Sequence, residues 1–280
     1  MAIVDMPKSF AEALRIRAEK RSVPFAGGTD LMVKHRRCYC TSPDFGVPLL
    51  LLNRIEGIRG ISDKVDFVQI GAGTTLTGIL ESEIAPKPLR AAIARMASVA
   101  TRNIATIGGN ICNASPAGDT LPPLYAMDAE VVLESVRGER VIPIDEFIEG
   151  VGKIDLAPDE LLREIRIPKM DFNKFDYKKV GTRRATALSK LSFIGLARIE
   201  DSKIADIRIA FGAVAPTVIR SREIEKSIIG MEVAESYSVF KRAIEGYSAL
   251  IRPIDDQRST ANYRKKTCLR LLEKFIKELK

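Results

Sequence analysis

The sequence predicts an α+β protein, in which strands and helices follow one another without a regular strand–helix–strand repeat. A continuous apolar run at 49–52 is typical of a strand that is buried on both faces, and a strand-like run lies at 191–199. Apolar residues at helical spacing indicate helices over 88–99 and 268–279. With 280 residues, the chain is long enough for one large domain or two smaller ones.

The N-terminal part of the chain is predicted to begin with a helix and to continue through two strands. Ser9 is placed to cap a helix over 10–18, where apolar residues share one face. The apolar stretch 23–25 then leads into a glycine-rich loop, and strands are predicted at 49–52 and at 65–70. The last of these strands ends in a glycine-rich turn.

The middle of the chain combines a helix with a hairpin. Pro88 stands where proline favours the start of a helix, here the one predicted over 88–99. Strand-like runs at 130–136 and 140–144 flank a short loop with a glycine, which is the pattern of a hairpin. A further strand is predicted at 161–167 and ends at a proline.

The polar segment 170–174 follows this proline and marks a candidate boundary between two domains. Beyond it, strand-like runs at 191–199 and 204–214 are separated by the polar break 200–203, which again indicates a hairpin. The last predicted helix is amphipathic, with apolar residues over 268–279 on one face.

The residue types exclude several classes of enzyme. The chain has one histidine, His35, and no tryptophan. Because histidine commonly serves as a general base or a metal ligand, a zinc hydrolase or a serine or cysteine triad enzyme is disfavoured. His35 itself is interpreted as a surface residue. No CxxC pair is present, so we predict no metal site. We also predict no catalytic residue in this chain, because a bound cofactor is expected to carry the reactive group. The four cysteines are Cys38, Cys40, Cys112 and Cys268.

The net charge of +8 and the pI of about 9.3 are compatible with an anionic cofactor or an acidic partner, and also with an ordinary solvated surface. The basic residues are scattered, and no nucleic-acid-binding motif accompanies them. The first residues lack a secretory signal, and no apolar run approaches the roughly 18 residues of a membrane helix. We therefore predict a cytoplasmic protein with no membrane insertion and no nucleic-acid partner.

Two glycine-rich segments, 26–30 and 105–110, form the candidate ligand site. A peptide without a Cβ atom lets backbone N–H groups converge on phosphate oxygens, and two such segments suit a diphosphate better than a single phosphate. A pair of glycines is also compatible with an ordinary tight turn. Polar side chains that could bind a polyol lie in or after these segments: Thr29, Asp30, Thr106, Asn110, Ser115 and Asp119.

The common nucleotide-binding motifs are absent. Gly71 and Gly73 follow a predicted strand, but Leu76 stands where the GxGxxG motif needs its third glycine, so a Rossmann site is not supported. No GxxxxGK[ST] sequence is present, which excludes a P-loop NTPase. The residues alone therefore predict a phosphorylated cofactor without specifying which one.

Five segments together resemble one protein family. Residues 101–119 read TRNIATIGGNICNASPAGD, which resembles the flavin-binding signature of the FAD (medium) subunit of molybdenum hydroxylases, the family of xanthine dehydrogenase and carbon monoxide dehydrogenase flavoproteins. PFAGGTDLMV at 24–33 resembles the first flavin loop of this family, and IGAGTTLTGIL at 70–80 resembles the strand and turn between the two loops. Residues 179–185 and 207–217 resemble its C-terminal domain.

The resemblance covers essentially the whole chain and implies a fold of two domains. Residues 1–169 would form an FAD-binding domain of the vanillyl-alcohol-oxidase (PCMH) type, with α+β subdomains over about 1–55 and 56–169. Residues 170–280 would form the C-terminal domain of carbon monoxide dehydrogenase flavoproteins, with a three-stranded sheet and a helical bundle.

The resemblance also implies which residues hold FAD. Residues 23–30 would wrap the diphosphate, and 105–109 would form a second loop around the cofactor. Asp119 would hold ribityl or sugar hydroxyls, Leu162 would approach the adenine and Lys179 the isoalloxazine. As alternatives, Asp119 caps the next helix and Lys179 is a plain surface residue. The implied cofactor-binding residues are Val23, Pro24, Phe25, Ala26, Gly27, Gly28, Thr29, Asp30, Ala105, Thr106, Ile107, Gly108, Gly109, Asn110, Ser115, Asp119, Leu162 and Lys179.

The function implied by the resemblance is that of the FAD subunit in a heterotrimeric molybdenum hydroxylase. Its FAD would take electrons from two [2Fe–2S] clusters on a small subunit and pass them to NAD or another acceptor. A large subunit would hold molybdopterin and hydroxylate the substrate. Two alternatives are a free-standing FAD-dependent oxidoreductase and a non-catalytic protein that holds a flavin or nucleotide.

Overall fold

The computed structural model of the protein describes residues 3–36, 38, 42–183, 185–234 and 237–279. Cys40, and Arg184 of the C-terminal resemblance, lie outside these residues. The described strands are β1 (Val4–Asp5), β2 (Val23–Phe25), β3 (Leu49–Leu51), β4 (Ile61–Asp63), β5 (Phe67–Gly71), β6 (Glu130–Ser135), β7 (Gly138–Pro143), β8 (Ile148–Gly150), β9 (Lys153–Ile154), β10 (Leu161–Pro168), β11 (Lys174–Val180), β12 (Leu191–Glu200), β13 (Lys203–Gly212) and β14 (Ile219–Arg220). The described helices are α1 (Phe10–Glu19), α2 (Leu31–Lys34), α3 (Leu76–Glu81), α4 (Lys87–Ile93), α5 (Val99–Arg102), α6 (Ile107–Cys112), α7 (Leu121–Ala126), α8 (Ile144–Phe147), α9 (Arg222–Lys226), α10 (Tyr237–Leu250) and α11 (Ala261–Lys277).

The described strands form four sheets. A parallel sheet has the strand order β1–β3–β2. A larger sheet has the order β4–β5–β10–β6–β7, and β8 pairs with β9 alone. The fourth sheet, in the order β11–β12–β13–β14, is antiparallel throughout. This irregular mixture of sheets and helices confirms the predicted α+β class.

The chain divides into two compact units, and it passes between them several times. The first unit contains Met1–Ala85, Ala97–Ala114 and Ala129–Ile167. The second unit contains Pro86–Met96, Ser115–Asp128 and Pro168–Lys280. Helices α4 and α7 therefore belong to the second unit, although both precede residue 169.

In the first unit, helix α1 forms where the sequence predicts it. The Ser9 hydroxyl accepts a hydrogen bond from the Glu12 N–H at 3.1 Å and so caps the helix. Ala13 and Leu14 on its inner face are buried in one cluster with Leu50 of β3. Burial of a leucine side chain contributes about 1.5–3 kcal/mol, so this face fixes α1 on the unit.

The sheet of the second unit has one strand more than the three that the resemblance implies. Strands β11, β12 and β13 supply the expected three. The short strand β14 extends the sheet by pairing Ile219 with Phe211 and Arg220 with Ala210. Two residues of extended backbone carry no recognisable alternation of apolar and polar residues, so the sequence pattern missed this strand.

An aromatic cluster lies between this sheet and the C-terminal helices. The ring centroids of Phe193 and Phe211 are 5.3 Å apart, and Tyr247 of α10 lies 5.4 Å from Phe211. Phe275 of α11 lies 5.8 Å from Phe193. A Cβ atom on Gly195 would lie 2.5 Å from the Phe275 ring, so α11 packs directly on the backbone of β12.

Two helical predictions differ from the structure. The predicted helix over 88–99 is interrupted, because Ala97 adopts a φ of +44° and an α-helix cannot continue through that conformation. The predicted loop 105–110 instead enters helix α6, because the Thr106 hydroxyl accepts the Gly109 N–H at 3.1 Å and caps that helix. None of the described helices is both long enough and apolar enough to cross a bilayer.

Candidate functional site

The first glycine-rich segment leaves the parallel sheet at the end of β2. The Phe25 carbonyl accepts the Leu52 N–H at 2.8 Å, and the chain then turns through 26–30 into α2. Gly28 has a φ of +67°, which glycine adopts without strain. Within the described residues, no protein atom accepts a hydrogen bond from the N–H groups of residues 26–29. These N–H groups are therefore available to a ligand.

The second segment is held by the turn at 71–75 after β5. The Leu76 N–H donates to the Ala105 carbonyl at 2.9 Å. The Gly108 N–H donates to the Ala72 carbonyl, also at 2.9 Å. A Cβ atom on Gly108 would lie 2.7 Å from the Ala72 methyl carbon, so only glycine permits this approach.

The two segments meet at Gly27. A Cβ atom on Gly27 would overlap the carbonyl oxygen of Ile104, so the two backbones are in direct contact. A cleft of about 280 Å³ lies beside this contact. It is lined by Phe25, Ala26, Gly27, Asn53, Arg59, Thr75, Asn103, Ile104 and Thr106. The structure thus brings four of the predicted residues to one cleft, namely Phe25, Ala26, Gly27 and Thr106.

Five residues of this lining were not predicted as ligands: Asn53, Arg59, Thr75, Asn103 and Ile104. Asn103 and Ile104 belong to the signature at 101–119, and Thr75 belongs to the segment 70–80, so their motifs could have indicated them. Asn53 and Arg59 lie in a segment that carries no recognisable motif. Only the fold places them at the cleft.

Asp30, predicted to contact the cofactor, faces the side chain of Lys34 instead of the cleft. Its Oδ2 lies 3.1 Å from the Lys34 Nζ, and both side chains are about half exposed. Lys34 also donates a hydrogen bond to the side-chain oxygen of Asn113 at the end of α6. An exposed pair of this kind contributes about 0–1 kcal/mol, so it adds little to the stability of the fold.

Asp119 and Lys179, both predicted to contact the flavin, form a buried ion pair in the second unit. The Lys179 Nζ lies 2.7 Å from Asp119 Oδ2, and the side chains are 8% and 7% exposed. Asp119 Oδ1 accepts hydrogen bonds from the Ser189 hydroxyl at 2.5 Å and from the Tyr177 hydroxyl at 3.4 Å. Burial raises the pKa of Tyr177 well above its usual value, and the Asp119 carboxylate adds to this shift. Tyr177 therefore stays protonated and donates.

The structure corrects the two alternatives for these residues. Lys179 is not a plain surface residue, because its ammonium group is buried and also donates to the Arg95 carbonyl at 3.1 Å. Asp119 does not cap helix α7, whose N-cap residue is Thr120, and no side chain caps that helix. Asp119 instead accepts hydrogen bonds from Lys179 and Ser189 in a polar cluster.

The other predicted residues lie outside the lining of the cleft. Leu162 is a buried residue of β10 and is 6% exposed. The Ser115 hydroxyl accepts the Ala117 N–H at 3.3 Å. His35, predicted at the surface, is half-buried, because its ring stacks on Phe45 with the centroids 4.6 Å apart.

The described cysteines are free thiols in three different environments. Cys38 is exposed, Cys112 is partly buried and Cys268 is buried. Burial raises the pKa of the Cys268 thiol to about 12, so this thiol is protonated at neutral pH. Within the described part of the chain, no group of three or more histidine, cysteine, aspartate or glutamate side chains could hold a metal ion.

Residues 4–170 match a family model described as the FAD-binding domain in molybdopterin dehydrogenase. The chain belongs to the molybdopterin dehydrogenase flavoproteins. Residues 176–279 of this flavoprotein match the C-terminal domain of the carbon monoxide dehydrogenase flavoprotein. The resemblance found in the sequence is thereby confirmed, as are an FAD-binding domain and membership of an oxidoreductase family.

Similar proteins cover nearly the whole flavoprotein. The glyceraldehyde dehydrogenase medium chain of Sulfolobus acidocaldarius is 31% identical, over 97% of this chain and 96% of that protein. The xanthine dehydrogenase FAD-binding subunit of Escherichia coli O157:H7 is 31% identical, over 78% of this chain and 76% of that protein. Among solved structures, carbon monoxide dehydrogenase from Hydrogenophaga pseudoflava aligns with a TM-score of 0.87 at 27% identity, covering 98% of this chain and 95% of that chain.

Proposed function

We propose that this flavoprotein is the FAD subunit of a heterotrimeric molybdenum hydroxylase. In this proposal it receives electrons from [2Fe–2S] clusters of a small partner subunit and delivers them to NAD or another acceptor. A large partner subunit holds molybdopterin and hydroxylates the substrate. The family match and two relatives that are themselves medium chains of dehydrogenases support this assignment.

The observation that carries the proposal is the set of N–H groups at 26–29, beside the cleft, for which the described residues provide no acceptor. Residues 26–29 present backbone donors without a described protein acceptor, and Ala26 and Gly27 line the cleft together with Thr106 of the second segment. Such groups bind phosphate oxygens, and FAD carries a diphosphate. FAD supplies the redox chemistry that protein side chains lack. The residues present therefore fit the cofactor, and the role of the chain is to bind and orient it.

The residues implied by the resemblance remain our proposed FAD contacts, including the two in the second unit. Asp119 Oδ2 accepts from Lys179 and keeps a second lone pair, which can accept a hydroxyl of the cofactor. Lys179 acts here as half of a neutral pair. We infer that the pair orients polar groups at the flavin rather than adding a free positive charge.

We also propose a domain boundary at residues 169–170 and a cytoplasmic location. The first family match ends at residue 170 and the second begins at residue 176, which supports the boundary.

Purification of the full chain tests the cofactor assignment. We expect yellow protein with flavin absorbance bands and about one FAD per chain. Protein that stays colourless after incubation with FAD would contradict the proposal. Recovery of the native complex with molybdenum and iron–sulfur subunits supports the heterotrimer, whereas oxidase turnover by the isolated chain supports the free-standing alternative.

The acceptor is tested on the native complex. Anaerobic reduction by substrate bleaches the flavin absorbance, and addition of NAD⁺ should restore it with formation of NADH. If NAD⁺ leaves the absorbance bleached while another acceptor restores it, the NAD assignment is wrong and the FAD assignment stands.

A further inference from the structure

We propose that Arg59 is a phosphate-binding residue of the cofactor cleft, and that it selects flavins and nucleotides that carry a phosphate. This inference rests on the proposed function. Arg59 is the one charged residue in the described lining of the cleft, which it shares with Ala26, Gly27 and Thr106. The glycine-rich segments offer neutral N–H donors, whereas a diphosphate carries negative charge that a guanidinium group can balance.

The Arg59 guanidinium group is exposed and retains free donors. It donates one hydrogen bond, from Nη2, to the carbonyl of Asn53, which also lines the cleft. Within the described residues, no carboxylate forms an ion pair with Arg59. An arginine has five N–H donors in a rigid fork, so the remaining donors can bind two oxygens of one phosphate group.

The backbone on both sides of Arg59 is fixed. The Ile58 carbonyl accepts the Gly73 N–H at 2.7 Å, and the Gly60 carbonyl accepts the Gly71 N–H at 3.0 Å. The Gly60 N–H also donates to the Thr74 hydroxyl at 3.0 Å. Because the backbone is already fixed, only the side chain of Arg59 has to be ordered when a ligand binds.

The turn at 71–75 ties Arg59 to the second glycine-rich segment. The same turn that holds Ile58 and Gly60 also accepts the N–H groups of Ile107 at 3.1 Å and Gly108 at 2.9 Å. Arg59 is therefore set at a fixed position relative to the second segment. Such pre-organisation is what a phosphate site between two chain segments requires.

The test compares ligand binding by the full chain after removal of bound flavin. We expect Arg59→Gln to raise the Kd for FAD and for ADP by about 10- to 100-fold, the usual effect of losing a charge-assisted hydrogen bond. The Kd for riboflavin, which has no phosphate, should stay within about twofold of wild type. Arg59→Lys keeps the charge and should recover part of the loss.

Arg54→Gln is the matched control. Arg54 is exposed on the same segment, carries the same charge and does not line the cleft. It should leave all three Kd values within about twofold of wild type. Thermal unfolding of the flavin-free variants shows whether they are folded, and exposed substitutions of this kind change stability by about 0.5 kcal/mol or less.

The outcomes separate this inference from the proposed function. If wild type binds FAD and folded Arg59→Gln binds it equally well, the inference fails and the FAD assignment stands. An equal loss in Arg54→Gln, or a loss of riboflavin affinity in Arg59→Gln, also overturns the inference. Wild-type protein that binds neither FAD nor ADP overturns both.

Discussion

Gly27 is the position where the two glycine-rich segments touch, and the fit depends on its missing side chain. Any Cβ atom there would overlap the Ile104 carbonyl oxygen and come within 2.9 Å of the Ala105 Cα. Both neighbours are backbone atoms, which cannot move aside as a flexible side chain can. The short distance between the segments is therefore set by a single residue.

We expect Gly27→Ala to separate the two segments and to abolish FAD retention. Overpacking of this kind costs about 1–3 kcal/mol, so the chain should still fold. Flavin content per chain, measured by absorbance after purification, checks this. Gly57→Ala is the control, because a Cβ atom on Gly57 meets nothing within 4 Å. Full flavin occupancy in Gly27→Ala would show that the contact is not needed.

Among the proposed FAD contacts, Lys179 and Asp119 form the most deeply buried ion pair. Loss of this pair should lower the free energy of unfolding. Lys179→Met leaves the Asp119 carboxylate buried with two hydroxyl donors and no counter-charge. We expect the free energy of unfolding to fall by about 3–5 kcal/mol. Urea unfolding of the full chain, followed by circular dichroism, measures this change.

Lys178→Met provides the comparison for this prediction. The neighbouring Lys178 forms an ion pair with Asp176, and its side chain is 37% exposed. Losing an exposed pair should cost about 1 kcal/mol or less. The double variant Asp119→Asn/Lys179→Met should be more stable than Lys179→Met alone, since it leaves no unpaired charge. Equal effects of the two single lysine variants would contradict the prediction.

At the scale of elements, the hairpin β6–β7 is tied to the loop before β10 by one arginine. The Nε atom of Arg140 in β7 lies 2.8 Å from Glu160 Oε1. Its Nη1 atom lies 2.7 Å from Asp155 Oδ2. Hydrogen bonds from Arg140 hold the pKa values of both carboxyl groups below their usual range. When folding lowers the pKa of a carboxyl group, that group stabilises the folded state at pH values above its pKa in the unfolded chain.

We therefore expect the contribution of Arg140 to stability to depend on pH. Unfolded glutamate and aspartate titrate at about pH 4.3 and 3.9, so the contribution is fully present at neutral pH. It is lost as the pH falls through the lower folded values, below about pH 4. Urea unfolding should show the difference between wild type and Arg140→Met shrinking as the pH falls from 7 to 3.

Arg15→Met serves as the pH control, because Arg15 is exposed and forms no ion pair within the described residues. Its small effect on the free energy of unfolding should be the same at both pH values. A difference between wild type and Arg140→Met that stays constant over this range would show that the two carboxyl groups do not carry the effect.

The elements also show what local sequence patterns can and cannot predict. The helix over 10–18 and the hairpin of β12 and β13 were predicted well, because capping and periodicity are properties of adjacent residues. The interruption at Ala97 was not predicted, because alanine favours helix and its left-handed conformation is imposed from outside the segment. Strand β14 was too short to show a pattern.

At the scale of the whole molecule, the two units interleave along the sequence. Helices α4 and α7 precede residue 169 but belong to the second unit, where α4 packs on β11 and α7 packs on β12 and β13. Every residue of α7 is buried. A fragment that ends at residue 169 keeps both helices and loses the strands that cover them.

We expect the fragment 1–169 to be less stable than the full chain and to expose apolar surface. It should bind the dye ANS and unfold over a broad temperature range, while the full chain should unfold cooperatively. Dye fluorescence and calorimetry measure these properties. A fragment that unfolds cooperatively at the melting temperature of the full chain would show that α4 and α7 do not need strands β11, β12 and β13.

The α+β class, the two glycine-rich segments and the family could be predicted from the sequence, because each of these is recorded in contiguous residues. Tertiary structure decided which side chains meet. Lys179 and Asp119 are 60 residues apart and form one buried pair, and Arg59 reaches the cleft although no motif surrounds it. Such contacts depend on how the turn at 71–75 and the sheets place distant segments together, and no local pattern of residues records that placement.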